Sequence, residues 1–335
     1  MTVRAEAPVG VLADEPAAGG RLARNLLWLG VLGLTGATAL CLLARLWWVF
    51  ELATHFRLHY VLAAAVLVLW ALLMRRYVAA VVSAICGAVH AVWLLPLFLA
   101  PVAAAPVDED AVTLRLATVN MQWSNPTPER VIAVLDQYRP DIVALQETTP
   151  WWPDAPAAVH AAYPYQAPLA WQLGRSVTLI SRYPILAHEM RSGGGMRLQF
   201  PVLTIDVEGT VLTVIAVHPP HQLRPHHVPV YRRYLENLAV AVREADTPIV
   251  VLGDFNTTAF SPTFQDLLAT TGLRDAADGF GYIATWPAAL GAFGIPIDHV
   301  LVSPEFAVDA VVVGPDTGSD HAPVIVDMRL AAAAS

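Results

Sequence analysis

The stretch 248–256 reads P-I-V-V-L-G-D-F-N. Four apolar residues in a row, three of them β-branched, are the pattern of a strand buried on both faces. Gly253 ends the run, and Asp254 and Asn256 follow two apart, so both side chains project from one face of the strand end. Open α/β sheets hold ligands at such carboxyl-terminal lips. Gly-Asp-x-Asn is also ordinary turn chemistry. Taken alone, the stretch is balanced between a solvated turn and a site, and the rest of the chain decides.

Five further apolar runs begin or end on the same kinds of residue. T-V-N ends at Asn120, A-L-Q-E at Gln146 and Glu147, and I-A-V-H at His218, which Pro219 and Pro220 follow. I-P-I-D-H-V places Asp298 and His299 at a strand start, and G-S-D-H-A-P places Ser319, Asp320 and His321 before the last strand. Each has a bland explanation: a solvated strand end, a satisfied core histidine, a turn former. Six clusters built from carboxylate, carboxamide and imidazole are much harder to assign to accident. Oxygen donors without thiolate suit a hard cation such as Mg²⁺ or Mn²⁺, which keeps coordination positions for water and substrate phosphate. Histidine nearby can donate to a phosphoryl oxygen or accept a proton, and an aspartate can hold that histidine in one tautomer. The set points to metal-assisted hydrolysis of a phosphate ester. Cys41 and Cys86 both lie inside apolar runs, so there is no thiolate metal spacing and no disulfide framework.

The elements that must carry these clusters occupy the second part of a 335-residue chain that is 56% apolar and contains no lysine. Residues 1–24 are rich in Ala, Pro and Gly and read as a disordered tail. Three apolar segments follow at 25–44, 58–74 and 77–99, each near the length of a bilayer crossing. A cleaved signal peptide would not be followed by two more such runs. Arg4, Arg21, Arg24, Arg75 and Arg76 mark the cytoplasmic side by the positive-inside rule, whereas in the first connection Glu51 offsets one of Arg45 and Arg57. Three crossings then put everything after Pro101 outside the plasma membrane. Residues 101–112 form a linker, and 113–331 a second domain. Its strands are expected at 114–120, 141–147, 176–181, 198–207, 211–218, 297–303, 307–313 and 323–329, with the buried run above inside 248–256. Helices are expected at 128–139 behind Thr127 as N-cap, at 228–244, and at 262–271 behind Ser261. Mostly short connections between strands favour two packed, mixed sheets flanked by helices.

With T-V-N, A-L-Q-E-T, I-S-R-Y-P-I, V-H-P, G-D-F-N, I-D-H-V and G-S-D-H-A-P-V in this order, residues 114–330 resemble the endonuclease/exonuclease/phosphatase superfamily of metal-dependent, DNase I-like phosphoesterases. The resemblance implies a four-layer α/β sandwich. It implies Glu147 as principal metal ligand with Asn120 beside it and Asp320 completing the outer contacts. It also implies Asp254 as the group that orients or deprotonates the attacking water and Asn256 as a phosphate-holding amide. His321 is then the histidine at the phosphoryl oxygen, oriented by Asp298, and His218 the histidine near the leaving group. Ser181 and Arg182 fall in a motif that borders the cleft. Gln122 departs from the Asp or Asn that some nucleases of the superfamily carry at that position. Three membrane helices before an outward-facing domain resemble the VanJ-like membrane proteins, which implies a lipid-linked substrate such as a polyprenyl pyrophosphate or a phospholipid head group.

Nucleic acid is the main competing substrate. From Asp108 onward, however, 13 arginines face 24 acidic residues, the opposite of the basic stripe that phosphate neutralisation calls for. A catalytically silent, membrane-anchored binding module is a further alternative, but it would be expected to lack one of Glu147, Asp254, Asn256, Asp298 or His321. Trp151, Trp152, Phe280, Tyr282, Trp286 and Phe293 could rim a lipid-facing cleft or cap the sheets, the latter being favoured. His188, Arg191 and Arg197 flank Gly193–Gly195 in a candidate substrate loop.

Overall fold

A computed structural model describes residues 18–99, 111–148, 152, 155–172, 175–195 and 198–330. Most of the expected tail and linker, together with Trp151 and Arg197, lies outside the described residues.

The chain opens with an apolar helical bundle. Helix α1 spans Ala18–Leu42, a short α2 (Trp48–Ala53) runs through one 3₁₀ turn into α3 (Arg57–Leu73), and α4 spans Tyr77–Phe98. Among the described residues three stretches, Gly19–Leu42, Trp48–Leu73 and Tyr77–Phe98, are long and apolar enough to cross a membrane. The second begins ten residues before the segment expected from the sequence, because Glu51, His55 and Arg57 are carried inside the helix. Leu27, Val31, Leu34, Ala64, Leu67, Ala71 and Ala79 fill the bundle's own core. Outside it, Leu29, Leu32, Val66, Leu69, Val81 and Ile85 are exposed, an apolar belt far larger than a soluble monomer shows.

Among the described residues, thirteen strands build two sheets. In the first are β1 (Val112–Asn120), β2 (Ile142–Gln146), β3 (Tyr165–Gln166), β4 (Ala170–Gln172), β5 (Arg175–Ser181), β12 (Phe306–Val313) and β13 (Val324–Leu330). Their order is β12-β13-β1-β2-β5-β3, with β4 also on β5. The second holds β6 (Ile185–Ser192), β7 (Gln199–Val207), β8 (Thr210–Val217), β9 (Ile249–Asp254), β10 (Arg274–Asp275) and β11 (Asp298–Val302), ordered β10-β11-β9-β8-β7-β6. Among the described strands only β1–β2 and β8–β9 pair in parallel, and helices α5 (Arg130–Tyr138) and α7 (Val228–Arg243) cross over between those partners.

One apolar core lies between the sheets, from Leu116, Leu179 and Val326 on one to Leu203, Val214, Leu252 and Val300 on the other. Outside the second sheet, α7 lays Tyr231, Tyr234, Leu235, Leu238 and Val242 inward at spacings of three and four, and α8 (Pro262–Thr271) adds Phe264 and Leu267. Outside the first sheet, α5 and α6 (Ala157–Ala162) contribute Val131, Val134, Leu135 and Val159. The result is the four-layer sandwich expected above.

Local chemistry accounts for the helix ends. Ser261 Oγ accepts from Phe264 N, Pro262 occupies the first turn, and Gly272 stops α8 at φ 72°. Helix α5 starts at Arg130, two residues later than expected. Asn125 Oδ1 accepts from Thr127 N at 2.8 Å, and Thr127 O accepts from Arg130 N, so Thr127 belongs to a turn before the helix and does not cap it.

Candidate active site

The two parallel pairs bring four strand ends to one edge of the sandwich. Asn120 and Gln146 are register partners at the ends of β1 and β2. Val217 pairs with Gly253, so His218 leaves β8 beside Asp254 at the end of β9. Asp298 opens β11 directly opposite Asp254. Gly253 has φ 154°, and a Cβ there would stand 2.0 Å from Val217 O, so only glycine lets β8 and β9 approach this closely. Glu147 (φ 50°), Gln122 (φ 54°) and Asn256 (φ 52°) hold the left-handed conformation as non-glycine residues, a strain that collects where side chains must be aimed.

Asp254 is the centre of the cluster. Asn120 Nδ2 donates to its Oδ2 at 2.9 Å and Asn256 N to its Oδ1 at 2.7 Å. His218 Nε2 stands 3.5 Å and His321 Nε2 3.7 Å from the same Oδ2. His218 Nε2 is also 3.7 Å from Glu147 Oε1, and Glu147 Oε2 accepts from Trp123 N at 3.0 Å. His321 Nδ1 lies 2.9 Å from Asp298 Oδ2. Thr285 Oγ1, 3.3 Å from Asp298 N, braces that strand start. Ser319 Oγ donates to Asn120 O and accepts from His321 N, which ties the last loop to β1.

Asn120, Glu147, His218, Asp254, Asp298 and His321 are all buried, and Asn256 is half-buried. Burial pushes the Asp254 carboxyl up, the neighbouring Asp298 adds to this, and His321 and His218 oppose it. Burial also disfavours charge on His321, but Asp298 and Asp254 outweigh it and hold the imidazole protonated beyond its ordinary range. Among the described residues no arginine pairs with Asp254 or Asp298; their charged partners are histidines. Concentrated buried carboxylate with no fixed cation is the condition a divalent ion relieves. Asp254, Asp298 and His321 each offer a ligand atom, all within 4.8 Å of one another. The donor set therefore suits a hard metal ion.

Seven of the eight residues singled out from the sequence are joined by the contacts above, and the eighth, Asp320, is peripheral to them. Its carboxylate accepts from Trp286 Nε1 at 3.1 Å, and its N–H donates to Gln122 Oε1. The candidate metal cluster is Asp254–Asp298–His321, whereas the resemblance implied Asn120, Glu147 and Asp320. Asn120 spends its amide nitrogen on Asp254 and its oxygen on Gln122 N. Asn256 Nδ2 donates to Pro219 O at 3.0 Å, which pins the loop after His218.

Ser181 and Arg182 do not border this cleft. Ser181 pairs with Ile142, at the end of β2 opposite Gln146, and Arg182 meets Asp141 at 3.5 Å. The glycine run follows β6 in a hairpin, where Gly193 N donates to Leu198 O and Arg191 pairs with Glu189 and Glu244. His299 faces away from the cleft, 2.6 Å from Asp275 and 2.9 Å from Thr257 O. Asp275, which ends the two-residue strand β10, and Thr285, in a loop, gave no signal in the sequence, since each acts through a partner distant in the chain. Of the aromatic residues, Phe280 packs against the inter-sheet core, Trp286 stands with its ring 6.5 Å from that of His321, and Phe293 is exposed.

Residues 117–321 match the Endonuclease/Exonuclease/phosphatase family. A search of curated proteins gives no match. Among solved structures, an endonuclease/exonuclease/phosphatase family protein from Bacteroides thetaiotaomicron is 17% identical, with a TM-score of 0.55 over 67% of this chain and 100% of that one. A mannosyl-6-phosphatase from Bacteroides thetaiotaomicron is 16% identical, with a TM-score of 0.51 over 64% and 99%. D. rerio TDP2, complexed with a single-strand DNA product, is 16% identical, with a TM-score of 0.52 over 64% and 98%. At these identities the likeness is one of fold.

Proposed function

Because the chain belongs to the Endonuclease/Exonuclease/phosphatase family, and is thus a phosphoesterase-type hydrolase, we propose that it is a membrane-anchored, divalent-metal-dependent enzyme of a VanJ-like branch. Its substrate is a lipid-linked phosphate ester or pyrophosphate, hydrolysed at the outer face of the plasma membrane. The observation that carries this reading is the junction of the two parts of the chain. The loops that follow Asn256 and precede Asp298 pack directly on the apolar helices, through Phe260 against Leu94 and Leu97 and through His59 Nε2 to Phe293 O at 2.8 Å. A catalytic edge seated on the helices is within reach of a phosphate borne on a lipid. The contacted helical residues cluster around the first connection and the end of α4, the side that the arginine distribution assigns to the exterior.

In this reading Mg²⁺ or Mn²⁺ supplies charge neutralisation at the phosphoryl oxygens and acidifies water when bound. Asp254 and Asp298 would hold it, with Glu147 and Asn120 adjoining and His321 beside them. Asp254, fixed by Asn120 and by Asn256 N, orients the attacking water. His321 presents Nε2 to the phosphoryl group while Asp298 accepts from its Nδ1, and His218, between Glu147 and Asp254, serves the leaving oxygen. The burial of all six side chains keeps competing water out.

The test is phosphate release from undecaprenyl pyrophosphate by detergent-solubilised protein, with Mg²⁺ or Mn²⁺ and with chelator, beside a parallel DNA digest. Metal-dependent release with intact DNA supports the reading. Cleaved DNA with untouched lipid overturns the substrate class and makes the helices a tether for a nuclease.

A further inference from the structure

The loop after Asn256 is gripped from both parts of the chain. Thr257, Thr258 and Ser261 are each fully buried, although the segment is a connection between β9 and α8. On the catalytic side, His299 Nε2 is 2.9 Å from Thr257 O. On the other side stand residues of the second apolar span. Glu51 Oε1 accepts from Ser261 Oγ and, at 3.2 Å, from Thr263 N. His55 Nδ1 is 3.0 Å from Thr258 Oγ1. Phe260 inserts among Leu94, Leu97, Leu58 and Val61. A carboxylate from a separate part of the chain therefore joins Ser261 in capping α8, where unpaired N–H groups and the helix dipole favour negative charge.

The loop before Asp298 is held in the same way. Gly279 N donates to Pro96 O at 3.0 Å and Gly281 N to Leu97 O at 2.6 Å, taking up carbonyls that the end of α4 leaves without helical partners. Asn256 keeps its left-handed backbone, a conformation that persists only where surrounding contacts over-determine it.

We propose that Glu51 and His55 are positioning residues of the catalytic edge. The apolar helices complete the site by fixing the 256–263 loop, and with it the aim of Asn256 and Asp254. The inference rests on the catalytic reading of this site. It makes the helices part of the enzyme's working geometry as well as its attachment.

The experiment uses full-length protein in detergent, with Glu51→Ala, Glu51→Gln and, as junction control, Arg45→Ala, whose exposed pairing with Asp266 at 2.8 Å touches neither loop. Two quantities are read: kcat and KM on the soluble diester bis(p-nitrophenyl) phosphate, and amide exchange across 254–263 against 199–217. Glu51→Ala is expected to lower kcat at least ~10-fold with KM within about twofold, and to speed exchange in 254–263 only. Glu51→Gln, which keeps the Oε1 acceptor, recovers most of the rate, and Arg45→Ala matches the parent in both readouts. Wild-type kcat and exchange in Glu51→Ala overturn the proposal, as does an equal loss in Arg45→Ala, which would signal general undocking. If Glu51→Ala does not fold, His55→Ala, which gives up a single hydrogen bond, decides by the same criteria. A parent protein that turns over nothing counts against the proposed function, and amide exchange alone then judges the brace.

Discussion

Asp298 stands where two roles meet, and a double-mutant cycle with His321 separates them. Its Oδ2 is 2.9 Å from His321 Nδ1, yet it also belongs to the trio whose ligand atoms lie within 4.8 Å of one another. If its contribution is to orient His321, Asp298→Asn removes one charge-assisted hydrogen bond, about 1.5–3 kcal/mol. At ~1.36 kcal/mol per decade that is a loss of roughly 10- to 100-fold in kcat/KM. His321→Ala removes the proton-transfer group itself, at least ~10². Orientation acts only through the imidazole, so the double variant should be no slower than His321→Ala alone, within about 0.5 kcal/mol. The assay is kcat/KM on a soluble phosphodiester at saturating Mn²⁺ for parent, singles and double. Losses that add, giving a double variant slower than His321→Ala by the full Asp298→Asn factor, refute the orienting role and make Asp298 an independent ligand. A fully active His321→Ala refutes the assignment of the histidine.

Three further perturbations test the surroundings. Glu147→Ala should abolish metal-stimulated turnover and weaken Mn²⁺ binding by calorimetry while leaving the circular dichroism of the fold intact; undiminished turnover would remove Glu147 from the site. Gly253→Ala drives a Cβ to 2.0 Å from Val217 O at φ 154°, so overpacking and backbone strain together should cost about 2–5 kcal/mol, read as a lowered unfolding midpoint. Asp278 is pushed up to about 7 by burial, with Asp275 adding to the shift. A carboxyl whose folded value lies above its unfolded ~3.9 supports the fold most at low pH, and that support is lost as pH rises from about 4 through about 7. Asp278→Asn should flatten that decline, and a stability profile unchanged by the substitution would show that Asp278 is not its source.

The sandwich was legible where pattern and burial coincide. Strands β2 and β9 are buried on both faces and read as unbroken apolar runs, as does the 214–217 half of β8, whereas β6 leaves its side chains exposed or half-buried at a sheet edge. Edge strands of that kind carry no periodic signal, which is why His188 and Arg191 read as loop. Seven of the eight singled-out residues converge because a strand end is fixed by its own short sequence. Arg182 misled for the complementary reason: its motif is real, but β5 runs antiparallel to β2, so the residue after Ser181 falls at the far end of the sheet.

What stayed illegible is contact between distant segments. Glu51 read as one charge against Arg45 and Arg57 in a short connection, a matter of topology alone. Its role depends on Ser261 and Thr263, more than two hundred residues away, and no local pattern encodes that pairing. Its burial is nonetheless informative. A carboxylate in an apolar span is expensive to keep, and here hydroxyl and backbone donors at the start of α8 satisfy it. A simple tether needs no such residue, since Leu or Ala would cross the bilayer more cheaply. The cost is sensible only if the second part of the chain must sit on the helices in one orientation, and the loop so held is the one that presents Asn256.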